Sequence, residues 1–260
     1  MGSKLGEIIA WKGEELARRK EECPLSQVER ALKQRPSPRS FREAVSRADR
    51  LNLIAEIKRC SPSAGAIRPG ADVVEIAKQY EQAKVRAISV LTDEKFFSGS
   101  LQDLVSVREN VTLPVLRKDF LLEEYSIVEA AAAGADAVLL IAAVLPRPVL
   151  KRLIRFCRDL SLAALVEVHT EPELADALEA EASLIGVNNR DLGTLQVDLK
   201  TTQRLFPQIP TGKVRVSESG IRSPEDVAFV RRQGAHAVLI GEELMSAPDP
   251  GKRIQELMGM

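Results

Sequence analysis

The 260-residue sequence is poor in the residues that build disulfide frameworks and zinc sites. Its three cysteines, Cys23, Cys60 and Cys157, lie far apart and form no C-x-x-C pair. We therefore expect free thiols and a reducing cytoplasm. The two histidines, His169 and His236, have no partner at a metal-ligand spacing, so we expect no metal site.

Long apolar runs and an excess of one charge are also missing. No segment approaches the ~18 apolar residues of a membrane span, and the N-terminus, M-G-S-K-L-G-E, lacks the apolar run of a signal peptide. Lys and Arg together number 37, as do Asp and Glu, so bulk charge indicates neither a nucleic acid nor a membrane as partner. The sequence predicts a cytoplasmic protein that binds neither.

What the sequence does contain is an alternation of short apolar runs with amphipathic stretches. Strands are predicted near 53–58, 86–91, 114–118, 137–141, 163–168, 184–188, 214–218 and 237–240. Helices are predicted at 71–82, 101–109, 123–133, 148–160, 171–180, 199–205, 224–233 and 252–258. Eight strand–helix units predict a (β/α)8 barrel. A doubly wound open sheet is the alternative, but it would carry a Gly-rich fingerprint after its first strand, and none is present.

The segment before the first strand predicts a helical extension. Amphipathic spacing favours helices at 5–20 and 41–48, with a Pro- and Ser-rich loop at 35–40. We therefore expect one domain over 1–260, made of an N-terminal helical extension (1–50) and a barrel (51–260).

Charged side chains stand near the ends of several predicted strands, where (β/α)8 barrels carry their active sites. Glu56 and Lys58 end the first strand, Lys118 the third, Glu167 the fifth and Glu218 the seventh. A single charged residue at a strand end could belong to a structural ion pair. Five at one mouth would perturb each other's pKa values, as proton transfer near neutrality requires, and favour a catalytic site.

The loops after the last two strands predict a phosphate site. Ser219-Gly220 and Gly241-Glu242 lie where many barrels bind phosphate through backbone N–H groups. The side chains of Glu242 and Glu243 oppose an anion there unless they turn away. The alternative is a pair of ordinary turn glycines.

Three of the few aromatic residues, Phe96, Phe97 and Phe120, fall in loops at the same mouth. They predict an apolar or aromatic substrate pocket. The alternative is that they cap the barrel core.

Six segments, in this order, resemble blocks of the indole-3-glycerol phosphate synthase family of tryptophan biosynthesis. They read E-I-K-R-C-S-P-S, V-L-T-D-E-K-F-F-S-G-S, L-R-K-D-F, L-V-E-V-H, G-V-N-N-R-D-L and S-E-S-G-I. The resemblance implies a lyase without metal or cofactor. It implies that 1-(2-carboxyphenylamino)-1-deoxyribulose 5-phosphate closes to indole-3-glycerol phosphate with loss of CO2 and water. We expect the protein to act on this small phosphorylated molecule as a monomer.

The resemblance also implies roles, residue by residue. Lys118 would be the general acid and Glu167 the general base or part of the proton relay, with Lys58 and Glu56 completing the network. The remaining catalytic and binding residues that it implies are Asn188 and Arg190 for orienting the substrate and its carboxylate, Glu218 and Ser219 for the transition state, Ser61, Gly220, Gly241 and Glu242 for phosphate, and Phe97 and Phe120 for the ring.

Three other functions remain open from the residues. A phosphoribosylanthranilate isomerase would have a similar barrel but would rely on a Cys/Asp pair, for which Cys60 is the candidate. A Schiff-base aldolase would use Lys118 or Lys58 as a nucleophile. A non-catalytic barrel that binds a phosphate ligand would not need so many acids and bases at one mouth.

Overall fold

The computed structural model describes residues 4–48 and 50–259, so residues 1–3, 49 and 260 of the predicted domain lie outside the described part. The helices are α1 (Lys4–Glu22), α2 (Leu25–Leu32), α3 (Phe41–Val45), α4 (Val73–Gln82), α5 (Glu94–Phe97), α6 (Leu101–Asn110), α7 (Glu124–Ala132), α8 (Arg147–Asp159), α9 (Glu171–Glu179), α10 (Lys200–Leu205), α11 (Pro224–Arg232), α12 (Glu242–Met245) and α13 (Pro250–Met258). The strands are β1 (Asn52–Ile57), β2 (Cys60–Ser61), β3 (Gly65–Ala66), β4 (Ala87–Leu91), β5 (Val115–Lys118), β6 (Ala137–Ile141), β7 (Ala163–Val168), β8 (Leu184–Asn188), β9 (Val214–Glu218) and β10 (Ala237–Ile240).

Strand β1 and strands β4 to β10 form a closed parallel barrel in the order β1-β10-β9-β8-β7-β6-β5-β4. The pairing of β1 with both β10 and β4 closes it. This confirms the predicted (β/α)8 barrel and excludes the open sheet. The eight predicted strands agree with the observed ones to within one residue at each end. Strands β2 and β3 form a separate antiparallel hairpin after β1, which the sequence did not predict.

The barrel interior explains why charged residues appear at the strand ends. Side chains alternate along a strand, so residues two apart point the same way. Four interior apolar residues are each followed, two positions later, by a charged residue in the layer above. The pairs are Ile54 and Glu56, Leu116 and Lys118, Leu165 and Glu167, and Val216 and Glu218.

The N-terminal helices differ in part from the prediction. Helix α1 forms as expected, but α3 ends at Val45 rather than at residue 48. Helix α2 was not predicted because, of its residues, only Val28 is buried, packing against Tyr125 and Val128 of α7. The hydroxyl of Tyr125 donates to the carbonyls of Arg19 (3.2 Å) and Cys23 (2.7 Å), which fixes the end of α1 against the barrel.

Within the described ranges, no helix is long and apolar enough to cross a membrane.

Candidate active site

A cavity of about 190 Å³ opens at the carboxyl ends of the barrel strands. All fourteen residues predicted for the site line it: Glu56, Lys58, Ser61, Phe97, Lys118, Phe120, Glu167, Asn188, Arg190, Glu218, Ser219, Gly220, Gly241 and Glu242. The (β/α)8 architecture therefore brings together residues that are up to 186 positions apart in the sequence, from Glu56 to Glu242.

Lys118 lies between two carboxylates at the bottom of this cavity. Its Nζ is 3.0 Å from Glu167 Oε2 and 2.5 Å from Glu218 Oε2. Both glutamates are nearly inaccessible to solvent, whereas Lys118 keeps a small exposed fraction of 13% toward the cavity. The ammonium is thus the part of the trio that a ligand meets first.

The trio carries one positive charge for two carboxylates, which shifts their pKa values in opposite directions. Burial alone would raise the pKa of Glu167, but the Lys118 ammonium and His169 outweigh it and hold that pKa well below its usual range. Burial raises the pKa of Glu218 to about 7, aided by the nearby Glu167 and Glu56, although Lys118 opposes the shift. Burial would lower the pKa of Lys118, but these carboxylates reverse the effect and raise it. The geometry keeps Lys118 charged and lets one carboxyl group titrate near neutrality.

Lys58 and Glu56 form a second pair beside the trio. Lys58 Nζ lies 2.9 Å from Glu56 Oε1, and Glu56 is buried. Gly241 faces this carboxylate: a Cβ built at Gly241 would come within 2.5 Å of Glu56 Oε1. A glycine at the start of α12 is therefore needed for Glu56 to occupy the cavity floor.

The aromatic side of the cavity is formed by two of the three predicted rings. Phe97 and Phe120 lie with ring centroids 6.3 Å apart, tilted by 41°. Phe96 is not among the lining residues: it is buried at the side of Lys4 and Lys95, whose ammonium groups lie 5.0 and 5.3 Å from its ring. Phe96 and Phe97 belong to the short helix α5 rather than to a loop.

At the opposite side, the acidic start of α12 is neutralised by arginines. Glu242 Oε2 lies 3.3 Å from Arg190 Nη2, and Glu243 Oε1 lies 2.5 Å from Arg253 Nη2 on α13. Both carboxylates are thus paired with guanidinium groups, and the backbone N–H groups of the first turn lack an intrahelical acceptor. Ser61 Oγ, which accepts a hydrogen bond from Ala64 N at 3.1 Å, lines the same cavity.

A family model described as indole-3-glycerol phosphate synthase matches residues 5–257. The chain belongs to this family. Its relatives with this name include proteins from Caldanaerobacter subterraneus (47% identical over 255 residues, covering 98% of this chain and 97% of the relative) and Parafrankia sp. (46% over 254 residues, covering 98% and 94%). The relative from Dechloromonas aromatica is 44% identical over 260 residues and covers 99% of both chains.

Solved structures of other enzymes share the fold of this synthase family member. A 3-hexulose-6-phosphate synthase superposes with a TM-score of 0.63 at 15% identity, covering 80% of this chain and 99% of that one. A tryptophan synthase α-subunit from Pyrococcus furiosus gives 0.60 at 13% identity, covering 80% and 98%. At such low identity these likenesses show the barrel fold alone.

The two asparagines of the family block G-V-N-N-R-D-L have different surroundings. Asn188 lines the cavity, and its Oδ1 accepts a hydrogen bond from Arg190 N at 3.0 Å. Asn189 is buried, and its Nδ2 donates to Ser217 Oγ and to the carbonyl of Glu218. Asn188 can therefore meet a ligand, whereas Asn189 ties β8 to β9.

Several residues of the site were not predicted. Lys4, Leu5 and Ile8 of α1 line the cavity, so the N-terminal helix contributes to its wall. The helical spacing of Leu5 and Ile8 signals a buried face but does not say against what it packs. Gly186 on β8 was also missed: a Cβ there would come within 2.0 Å of Glu218 Oε1.

Across residues 4–48 and 50–259, no group of three or more His, Cys, Asp or Glu side chains is arranged to hold a metal ion.

Proposed function

We propose that the protein is an indole-3-glycerol phosphate synthase, a carbon–carbon lyase of tryptophan biosynthesis. It closes 1-(2-carboxyphenylamino)-1-deoxyribulose 5-phosphate to indole-3-glycerol phosphate and releases CO2 and water. The observation that carries the proposal is Lys118, held between Glu167 and Glu218 on the floor of the cavity. Its family membership supports the choice of substrate.

Lys118 acts first, as the acid at the substrate carbonyl. Ring closure requires a carbonyl carbon that is electrophilic enough for attack by the aromatic ring. An ammonium that donates to the carbonyl oxygen supplies this activation, and a buried site strengthens it because water does not compete. Because the pKa of Lys118 is raised, its side chain is an ammonium when the substrate binds. It then donates a hydrogen bond or a proton to the carbonyl oxygen of the substrate.

Glu167 acts as the general base, or as part of the relay that removes a proton during dehydration. It is ionised and contacts Lys118 through Oε2 at 3.0 Å. A base next to the acid lets a proton pass between the two without solvent. Lys58 and Glu56 complete the network, and Glu218 with Ser219 stabilises the transition state and binds hydroxyls.

Phe97 and Phe120 contact the aromatic ring of the substrate on one side of the cavity. Arg190, whose backbone N–H donates to Asn188 and whose guanidinium pairs with Glu242 on the other side, turns its remaining donors to the substrate carboxylate. The phosphate is bound by Ser61 together with backbone groups of Gly220, Gly241 and Glu242. The pairing of Glu242 and Glu243 with arginines supports an anion at this end.

Two alternative functions fit the geometry less well. A Schiff-base aldolase needs a neutral amine, whereas Lys118 is kept charged by two carboxylates. Cys60 is not among the residues that line the cavity, which disfavours an isomerase that relied on it as an acid or base. Such an isomerase would lose its activity in a Cys60→Ala variant, which the synthase would tolerate.

The test is a fluorescence assay on the purified protein with the carboxyphenylamino-deoxyribulose phosphate and no added metal or cofactor. Growth of indole emission, slowed about 100-fold or more in a Lys118→Met variant, supports the synthase. Binding of the substrate without emission would favour a non-catalytic barrel, and neither binding nor emission would contradict the proposed ligand.

We further propose that the protein works as a monomer in the cytoplasm. Its three free thiols, Cys23, Cys60 and Cys157, fit a reducing compartment. Light scattering at assay concentration tests the oligomeric state.

A further inference from the structure

His169 lies directly behind the proposed general base. It follows β7, two residues after Glu167, and is 9% exposed. Its Nε2 is 3.4 Å from Glu167 Oε1, on the side of the carboxylate away from Lys118. Its Nδ1 is 3.0 Å from Glu173 Oε2, and the same oxygen accepts the backbone N–H of His169 at 2.7 Å.

We propose that His169, held by Glu173, is a positioning residue that clamps Glu167 in its ionised, Lys118-facing orientation. The inference rests on the proposed function, because it assigns a partner to the base of that reaction. Neither His169 nor Glu173 lines the cavity, so the pair acts through Glu167 rather than on the substrate.

Each carboxylate oxygen of Glu167 has a different partner. Oε2 contacts Lys118 at 3.0 Å, and Oε1 faces the imidazole at 3.4 Å. A carboxylate with a cation on each side has little freedom to rotate. The Glu173 contacts fix the imidazole in turn, since one carboxylate oxygen binds both its ring and its backbone.

The charges around the imidazole agree with this arrangement. Glu167 on β7 and Glu173 on α9 are the charged groups that contact the ring. Arg204 on α10 donates to the backbone carbonyl of His169 at 3.4 Å, and Asp191 after β8 interacts with His169 at longer range. Burial alone would lower the pKa of His169, but Glu167 and Glu173 outweigh it and raise the pKa to about 10. His169 is therefore a cation at neutral pH, and it favours the charged form of Glu167.

Two substitutions distinguish the effect of the positive charge of His169 from the effect of its contact with Glu167. In His169→Asn the side-chain amide reaches about as far as Nδ1 does. It therefore keeps the contact with Glu173 but is too short to contact Glu167. In His169→Gln the amide reaches about as far as Nε2, so it keeps a donor toward Glu167 but loses the charge. Asp249→Ala is the control: it removes the N-cap of α13, which accepts from Lys252 N at 2.9 Å, and it touches none of Glu167, His169 and Glu173.

The readouts are kcat and KM in the indole emission assay from pH 4.5 to pH 8, with Tm. Without the imidazolium the pKa of Glu167 rises, so the acid limb of the kcat profile moves toward higher pH. We expect kcat of His169→Asn to drop about 10-fold at pH 8 and to fall further toward pH 4.5, with KM within about twofold. We expect His169→Gln to lose about threefold at pH 8 but to show the same displaced acid limb. Asp249→Ala should lower Tm and leave the pH profile of kcat unchanged.

A His169→Asn profile that superposes on the parent's, with only Tm lowered, would overturn the clamp while leaving the synthase intact. If His169→Asn does not fold, Glu173→Gln replaces it, since the loss of its charge weakens the cation and should move the profile in the same direction. An inactive parent protein would overturn the proposed function and the clamp with it.

Discussion

Lys118 Nζ and Glu218 Oε2 approach to 2.5 Å although their strands, β5 and β9, are not neighbours in the barrel. The contact exists because both side chains stand in the layer above the apolar interior, where opposite strands face each other across the axis. The charged residues on the floor of the cavity therefore meet because the barrel closes, and not because they are near each other in the sequence.

Lys118→Met should lower kcat by about 100-fold or more, the usual scale for a positioned acid. Methionine keeps the length of the side chain and removes the charge, so the substrate carbonyl loses its donor. The indole emission assay measures the effect. Lys252→Met, at an exposed position of α13, is the control and should leave kcat unchanged. A Lys118→Met variant with near-normal kcat would contradict the role given to Lys118.

Gly186→Ala should lower kcat by about 10-fold or more with a smaller change in KM. A Cβ at this position would lie 2.0 Å from Glu218 Oε1 and 3.2 Å from Leu165 Cδ1, so Glu218 must move away from Lys118. Gly13→Ala in α1 is a matched control, because nothing lies within 4 Å of a Cβ there. Steady-state kinetics of the two variants would contradict the steric role of Gly186 if both behaved like the parent.

The fold was largely predictable because its signals are local. The barrel strands are rich in Val, Ile, Leu and Ala, and charged residues stand at the ends of four of them, β1, β5, β7 and β9. Glu56 and Glu218 could be assigned to one site because the carboxyl ends of all barrel strands meet on one face. The short helices α5 and α12, four residues each, were missed because they are too short to show a helical period.

The contacts that hold the site in place were not predictable. Lys12 reads as an exposed lysine of an amphipathic helix, yet it is buried against Asp93 and Asp119, which lie 81 and 107 positions away. His169 was recognised only as lacking a metal partner. No spacing rule links these residues, because their proximity depends on how α1 and the loops pack on the closed barrel.

The pH dependence of stability should reveal the buried proton of Glu218. Its pKa is raised from 4.5 to about 7 in the folded protein, chiefly by burial. The folded state therefore binds this proton more tightly than the unfolded chain does. The resulting stabilisation is complete below pH 4.5 and is lost as the pH rises through about 7.

Glu218→Gln has no such proton, so its Tm relative to the parent should increase between pH 5 and pH 8, by about 4 °C. Calorimetry at both pH values measures the difference. Glu225→Gln, at an exposed position of α11, is the control, and its Tm should differ from that of the parent by the same amount at both pH values. A constant offset between Glu218→Gln and the parent would show that Glu218 is ionised throughout.

Lys12→Met tests whether α1 organises the aromatic side of the cavity. Lys12 Nζ lies 2.7 Å from Asp119 Oδ1 and 3.1 Å from Asp93 Oδ2. Asp119 precedes Phe120, and Asp93 caps the helix that carries Phe97 by accepting from its third residue. One buried ammonium thus joins the segment after β4, which carries Phe97 on α5, to the segment after β5, which carries Phe120.

Without this cation, three buried carboxylates, those of Glu15, Asp93 and Asp119, lose a partner, which costs about 3 kcal/mol of the free energy of unfolding. We also expect KM to rise about 5-fold or more, since the two rings are no longer held together, while kcat at saturation changes less. Denaturant unfolding and steady-state kinetics measure the two effects. Arg18→Met removes an exposed charge of the same helix, 3.7 Å from Glu22, and should change stability by less than about 0.5 kcal/mol. If Lys12→Met lowers stability but leaves KM at the parent value, α1 anchors the barrel without shaping the pocket.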